Sequence, residues 1–250
     1  MIPGDPMKVL LRLAFFIFYS QFAVASLEPN YSEVEAIEQL KFIHAQFSLL
    51  HGTFNEEFPE QVMSMMFISP NDKVIEIGGN IGRNSCVISA LLNDSSNLVV
   101  LESDPGIASG LIANRDRNGL GFHVEASAIS QVPLIQAGWV TVPSQHVPLG
   151  HLSVNTLTYA ELKEKYGVDF NVLVADCEGA LYYLLKDDES LLKDVSLIIV
   201  ENDYHHRIHY ESVCSKFIAH GFELVYQKAF GSGPCGNEFY QVWKKLNSHL

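Results

Sequence analysis

Near residue 70 the spacing of apolar residues along this chain changes. Upstream, SEVEAIEQLKFIHAQFSLL and NEEFPEQVMSMM repeat apolar residues at the three-to-four-residue spacing of amphipathic helices. Ser32 followed by Glu35 is a capping-box pattern, so one or two helices are predicted, packed over a sheet that follows. After Asn71 and Asp72 the pattern becomes short β-branched runs separated by helical stretches. Strands are predicted at 73–78, 97–103, 122–127, 171–176 and 196–202, with helices near 83–92, 105–118, 158–166, 178–186 and 208–219. Near-continuous apolar runs belong to strands buried on both faces, and their alternation with helices winds a parallel sheet on both sides. The tail breaks the rhythm, because FELVYQKA and NEFYQVWKK, joined by FGSGPCG, read as a hairpin. The predicted fold is α/β, doubly wound and Rossmann-like, with a mostly parallel seven-stranded sheet and a C-terminal antiparallel hairpin. Residues 128–157 hold five prolines and glycines and little periodicity, and no element is assigned to them.

The chain has 250 residues, 48% hydrophobic and 18% charged, which suits one α/β domain with an extension. We divide it into an N-terminal segment 1–25, a helical extension 26–69 and a domain 70–250. The net charge of −13, without any run of Lys and Arg, argues against nucleic acid as a partner, because phosphate contacts need clustered basic side chains. Cys86, Cys177, Cys214 and Cys235 are widely spaced and form no zinc-ligand pair, so a disulfide framework is not expected, although one pair in an oxidising compartment stays open. In the first segment Lys8 and Arg12 precede an apolar stretch that ends at Ala23-Val24-Ala25, the small-x-small form of a signal cleavage site. Residues 1–25 therefore read as a signal peptide or membrane anchor, with an amphipathic or buried helix as the alternative. The first reading implies the secretory pathway or membrane association through this segment. The location is cytoplasmic if the segment is not a signal.

The candidate chemistry starts at VIEIGGNIGRN, residues 74–84. A dinucleotide fingerprint, G-x-G-x-x-G, ending at Gly82 would need glycine where Ile77 stands, so a nicotinamide cofactor is disfavoured. The second strand, VVLESDP, ends in Glu102, where a carboxylate can accept hydrogen bonds from ribose hydroxyls. Ser103 and Asp104 already offer the cap for the helix that follows. In the third strand, HVEASAIS, Ser127 or Glu125 could meet a base, or either could be a solvated edge residue.

Glu76, Gly78 and Gly82 form E-x-G-x-x-x-G, which resembles motif I of the class I S-adenosylmethionine-dependent methyltransferases. The resemblance implies a methyltransferase fold and S-adenosyl-L-methionine as cofactor, held by Glu76, Gly78, Gly79, Asn80, Gly82, Glu102, Ser103, Ser127 and Asp176. Glu76 would hold the ammonium of the methionine tail, Glu102 the ribose, and Ser127 the adenine amine. The fourth strand narrows the resemblance: NVLVADCEGALYYLL, with Asp176, Glu178, Gly179 and Ala180, is similar to the D-x-E-G stretch of FkbM-like methyltransferases. LIANRDRNGLGFHVEA, VNTLTYAELKEKYGVDF and LIIVEND resemble further pieces of that family, in order across roughly residues 70 to 230. One departure is Leu181, where the family often carries Glu.

The resemblance implies methyl transfer to a hydroxyl of a small molecule or glycan. In-line alignment supplies much of such a reaction, and a general base helps an alcohol acceptor. Asp176, at the fourth strand's end, is the first candidate base, and a helix cap is its bland alternative. Glu178 and Glu201 follow as hydroxyl acceptors or partners of Asp176, and His205 as a proton acceptor. His205 and His209 stand at i, i+4 if helical, and Asp176, Glu201, Asn202 and Asp203 could imitate the cation site of catechol-type methyltransferases. Hard cations prefer oxygen, and histidine clusters are commonly solvated, so no metal is expected. Tyr182 and Tyr183 read as packing. The rival to an enzyme is a methyltransferase-like domain that binds a ligand or partner without turnover.

Overall fold

A computed structural model describes residues 30–245; the segment read as a signal or anchor, 1–25, lies outside the described residues. Two helices open the chain, α1 (Glu33–Gln46) and α2 (Phe58–Phe67). Ser32 and Glu35 cap α1 reciprocally, the Glu35 amide donating to Ser32 Oγ and the Ser32 amide to Glu35 Oε2. Then follow β1 (Val74–Ile77), α3 (Arg83–Leu91), β2 (Leu98–Leu101), α4 (Pro105–Arg117) and β3 (His123–Glu125). Five short strands come next: β4 (Ala128–Ile129), β5 (Leu134–Ala137), β6 (Val140–Pro143), β7 (Leu152–Val154) and β8 (Thr156–Leu157). The chain continues with α5 (Tyr159–Tyr166), β9 (Val172–Ala175), α6 (Leu181–Asp187), α7 (Ser190–Asp194) and β10 (Leu197–Glu201). Last come α8 (Arg207–Ala219), β11 (Phe222–Lys228) and β12 (Tyr240–Lys245).

The main sheet has seven strands in the order β11-β12-β10-β9-β1-β2-β3. Strands β3, β2, β1, β9 and β10 run parallel. The hairpin forms as predicted, but β12 inserts between β10 and β11, antiparallel to both. Its position follows from polarity: Tyr240 to Trp243 are all buried, whereas most of β11 is at least partly exposed at the edge. This is a doubly wound, Rossmann-like fold, with strand order reversing between β1 and β9.

Residues 128–157 are not a structureless loop. β5, β6 and β7 form a three-stranded antiparallel sheet, and β4 pairs with β8. The breakers that masked these strands mark their ends: Pro133 precedes β5, Gly138 turns β5 into β6 with φ 57°, and Pro143 closes β6. The helix predicted from 178 begins at Leu181, because Glu178 and Gly179 adopt φ values of 51° and 77° that no α-helix tolerates. All four cysteines are free thiols, and no helix among the described residues is long and apolar enough to cross a membrane.

Side chains alternate across the sheet. Val74, Val100, Val174 and Ile199 join the core under α1 to α4, whereas Ile75, Leu101, Leu173 and Val200 join the core under α5 to α8. The parallel register pairs Ile77 with Leu101 and with Ala175, and Ala175 with Val200. One step further the ladder continues, with the amides of Glu102, Gly78 and Asp176 donating to Glu125, Leu101 and Ile77. Glu102, Gly78, Asp176 and Glu201 thus form one row across the carboxyl edge, at the parity that turns toward the α1–α4 side.

Candidate active-site cavity

Above this row lies a cavity of about 540 Å³. The row forms its floor. The segment Asn55–Glu60 closes one side, the insertion sheet supplies Leu134, Gln136, Trp139 and Thr141, and α6 contributes Leu181, Tyr183 and Leu184. Seven acidic residues line it: Glu56, Glu57, Glu60, Glu102, Asp176, Glu178 and Glu201. Among the described residues no Lys, Arg or His lines it. Among the described residues, three non-glycine residues have positive φ, namely Glu57, Asn80 and Glu178, and all three border this cavity. Such conformations cost on the order of 1 kcal/mol or more each and persist where surrounding contacts enforce them, characteristically at sites.

On the β1–β2 side the polar groups are paired. Gly78, at φ 88°, passes so close to the next loop that a methyl group on it would lie 1.6 Å from the Asp176 carbonyl oxygen. Gly82, at φ 90°, leaves room for Leu111 of α4. Glu102 accepts from the Asn80 amide (2.9 Å) and the Asp104 amide (2.9 Å), and burial raises its pKa while those amides oppose the rise. Asn80 Nδ2 donates to Glu57 Oε1 at 2.8 Å. The nearly buried Arg83 donates to Glu57 Oε1 at 2.7 Å, to Glu56 and to the Thr53 carbonyl, so it ties the segment before α2 to the glycine loop. Burial pushes Glu57 up to about 7 against the pull of Arg83.

On the β9–β10 side the carboxylates face one another. Glu60, Asp176 and Glu201 each bring an oxygen within 4.8 Å of the others. Burial first, then the charges of Glu60 and Asp203, raise Asp176 well above the usual carboxylate range. Burial and the neighbouring Glu60 and Asp176 push Glu201 up to about 12. Asp203 rises to about 8 through burial and the adjacent Glu178. With carboxyls this close, the cavity favours positive charge.

The cavity brings together Gly78, Asn80, Glu102, Ser103, Ser127, Asp176, Glu178 and Glu201, eight of the residues singled out from sequence. Four others stand elsewhere. Glu76 has the parity of Val74, so it turns under α3, accepts from Ser85 Oγ at 2.5 Å and is held at about 8 by burial. It faces a void of about 10 Å³ that it shares with Glu57, Glu60, Asn84 and Asp176, and it does not line the main cavity. Gly79 and Gly82 act in packing, against Val100 and Leu111. His205 is exposed, one residue ahead of the cap of α8, so it neither lines the cavity nor pairs with His209 along a helix. His209 instead stacks on Tyr182 at 3.8 Å. Tyr183, read as packing, borders the cavity. Glu125 is occupied by Lys165, Tyr166 and Ser127.

Sequence reasoning missed Glu57, Glu60 and Arg83. The signal for Glu60 was faint: an acidic residue on α2, where every residue from Glu60 to Phe67 is buried, and such a helix seldom keeps a charge without a use.

No family model matches the chain, and no curated protein matches it. Solved structures of like fold do exist. Streptococcus pneumoniae Sp1610, a candidate tRNA (m1A22) methyltransferase, is 13% identical over 85% of this chain and 72% of its own, with a TM-score of 0.45. A candidate O-methyltransferase from Klebsiella pneumoniae is 14% identical over 98% and 92%, with a TM-score of 0.41. M. capricolum TrmK, solved with S-adenosyl-homocysteine, is 11% identical over 81% and 73%, with a TM-score of 0.48. At these identities the likeness concerns the fold alone. One correction follows. Nucleic acid was excluded as a partner because the chain is acidic, yet the structures of like fold include one assigned to tRNA. Net charge describes the whole chain and does not decide what one surface of it can meet. A glycan acceptor has no counterpart among these structures.

Proposed function

We propose that this protein is an S-adenosylmethionine-dependent methyltransferase of FkbM-like type that acts on a hydroxyl of a small molecule. The observation that carries this is the cavity's charge: seven acidic residues and, among the described residues, no basic one, above the glycine loop of a Rossmann-like sheet. A dinucleotide brings two phosphates and would be repelled there. A sulfonium with an ammonium tail is drawn in.

In this reading Glu102, held by two amides, keeps its remaining acceptor capacity for ribose hydroxyls. Ile77, Leu101, Ile129 and Leu134 offer apolar walls for a base, with Ser103 and Ser127 at its edge. The cofactor supplies an electrophilic methyl group. Asp176 lies next to Gly78 in the row and is positioned to accept the acceptor's proton. The hydroxyl O–H and the sulfur–methyl bond break as the O–CH3 bond forms. Tyr183, Leu184 and Trp139 bound the side where an acceptor would sit.

Calorimetric titration of the protein with S-adenosylmethionine tests this, with NAD and Glu102→Ala as controls. We expect micromolar binding, at least a hundredfold loss in the variant, and no heat from NAD. A folded protein that fails to bind the donor would return the chain to the alternative, a binding module without turnover.

A further inference from the structure

Two of the carboxylates in the acidic half owe their place to sheet register, but the third does not. Glu60 comes from α2, is 5% exposed, and its Oε2 has no hydrogen-bond partner. A buried carboxylate oxygen left unpaired is costly, and the cost is ordinarily relieved by a donor or a cation. Its position is imposed by neighbours. Gln61 Nε2 donates to the carbonyls of Phe54, Glu56 and Glu57, and Arg83 fastens the same segment, so α2 is fixed with Glu60 aimed at Asp176 and Glu201.

We propose that Glu60, Asp176 and Glu201 form a binding site for a hard divalent cation of the magnesium, manganese or calcium class. The ligands are all carboxylate oxygens, which favour such ions over zinc or copper. Oxygens on opposite sides of one such ion stand about 4–5 Å apart, and the three here lie within 4.8 Å of one another. Three protein ligands leave the rest of the coordination sphere open toward the cavity that all three line. The sequence offered Asp176, Glu201, Asn202 and Asp203 beside a histidine pair, and no metal was expected because hard cations prefer oxygen and histidine clusters are commonly solvated. Asn202 is buried elsewhere, its amide donating to the Glu238 carbonyl and to Gln241, and the third ligand arrives from the helical extension instead.

Cation binding stands by itself; a catalytic use for it rests on the methyl-transfer reading. In that case the ion takes the acceptor oxygen as a further ligand and eases loss of its proton. Asp176 is then a ligand, and the proton passes to Glu178 on the same wall while the methyl–sulfur bond gives way to the O–CH3 bond.

The test uses the full chain, stripped of metal, titrated calorimetrically with manganese, magnesium and calcium chloride in the absence of any methyl donor. We expect one saturable site and a rise in Tm with manganese. Glu60→Gln and Glu201→Gln should each weaken binding at least tenfold while raising the Tm of the metal-free protein, since each relieves the crowding of three buried carboxyls. Substituting the exposed Glu164 by Gln, as a control for diffuse surface binding, should leave the affinity unchanged. Absence of saturable binding overturns the site, as does affinity in both Gln variants equal to that of the unsubstituted protein. So does stabilisation by methylammonium with none from the metals. Because no donor is present, this experiment can fail while donor binding succeeds, and the reverse.

Discussion

Glu102 and Glu201 stand in the same row of the same sheet, three strands apart, in opposite circumstances. Glu102 accepts two backbone amides and belongs to a loop whose glycines, Asn80 and Arg83 are all engaged. Glu201 meets Glu60 and Asp176, with no basic side chain on the cavity wall to offset them. The β1–β2 half is finished as a protein structure before any ligand arrives. The β9–β10 half is complete only with something positive in it. Sites of this kind divide the work: one half supplies rigidity and the other supplies affinity for charge.

The largest expected effect strikes the seam between the halves. Gly78→Ala would place a methyl group 1.6 Å from the Asp176 carbonyl at a φ of 88°, and should cost about 4 kcal/mol or prevent folding. Gly138→Ala is the matched control, also at positive φ but with open space around it, and should cost about 1 kcal/mol. Denaturant unfolding measures both, and equal losses would mean that backbone conformation alone matters at Gly78.

Next comes the finished half. Arg83→Leu leaves Glu57 buried beside no cation and should destabilise by about 3 kcal/mol. The acidic-half variants Glu60→Gln and Glu201→Gln are expected to move metal-free stability the other way. If all three changes lowered stability, the contrast between the halves would fail.

The last effect is graded with pH and belongs to no single substitution. Glu76 at about 8 and Glu57 at about 7 both lie above the ordinary glutamate value through burial. Between that ordinary value and the raised one, the folded protein holds a proton that the unfolded chain has lost. Stability therefore falls as pH rises through this window, by about 1.4 kcal/mol per unit for each such group. With chelator present, Tm should drop from pH 5 to pH 8. A flat or rising profile would mean that these carboxyls are solvated.

How far this could be read from the chain depends on whether a signal was local. β1, β2, β9 and β10 were legible because strands buried on both faces read as near-continuous apolar runs rich in Val, Ile and Leu. Gly78, Glu102 and Asp176 were legible because strand ends before glycines and acidic residues mark the carboxyl edge of such a sheet. Glu76 shares the parity of the row but stands two residues before it, under α3, a depth that strand assignment alone does not resolve. The insertion sheet stayed hidden because its strands are three or four residues long and its prolines and glycines resemble loop. Glu60 stayed hidden because α2 reaches the row only through tertiary packing. The N-terminal reading concerns residues outside the described ones and is unaffected by any of this.

The insertion of β12 carries a consequence for how the molecule is made. A ribosome delivers β10 and β11 before β12, yet those two strands never touch and depend on β12 to join them. Until residue 245 has emerged, β10 ends the parallel sheet with an open edge and β11 has no partner. The newborn chain must therefore hold its first five core strands together with a bare flank until β12, the last of the seven strands in chain order, arrives to seal it.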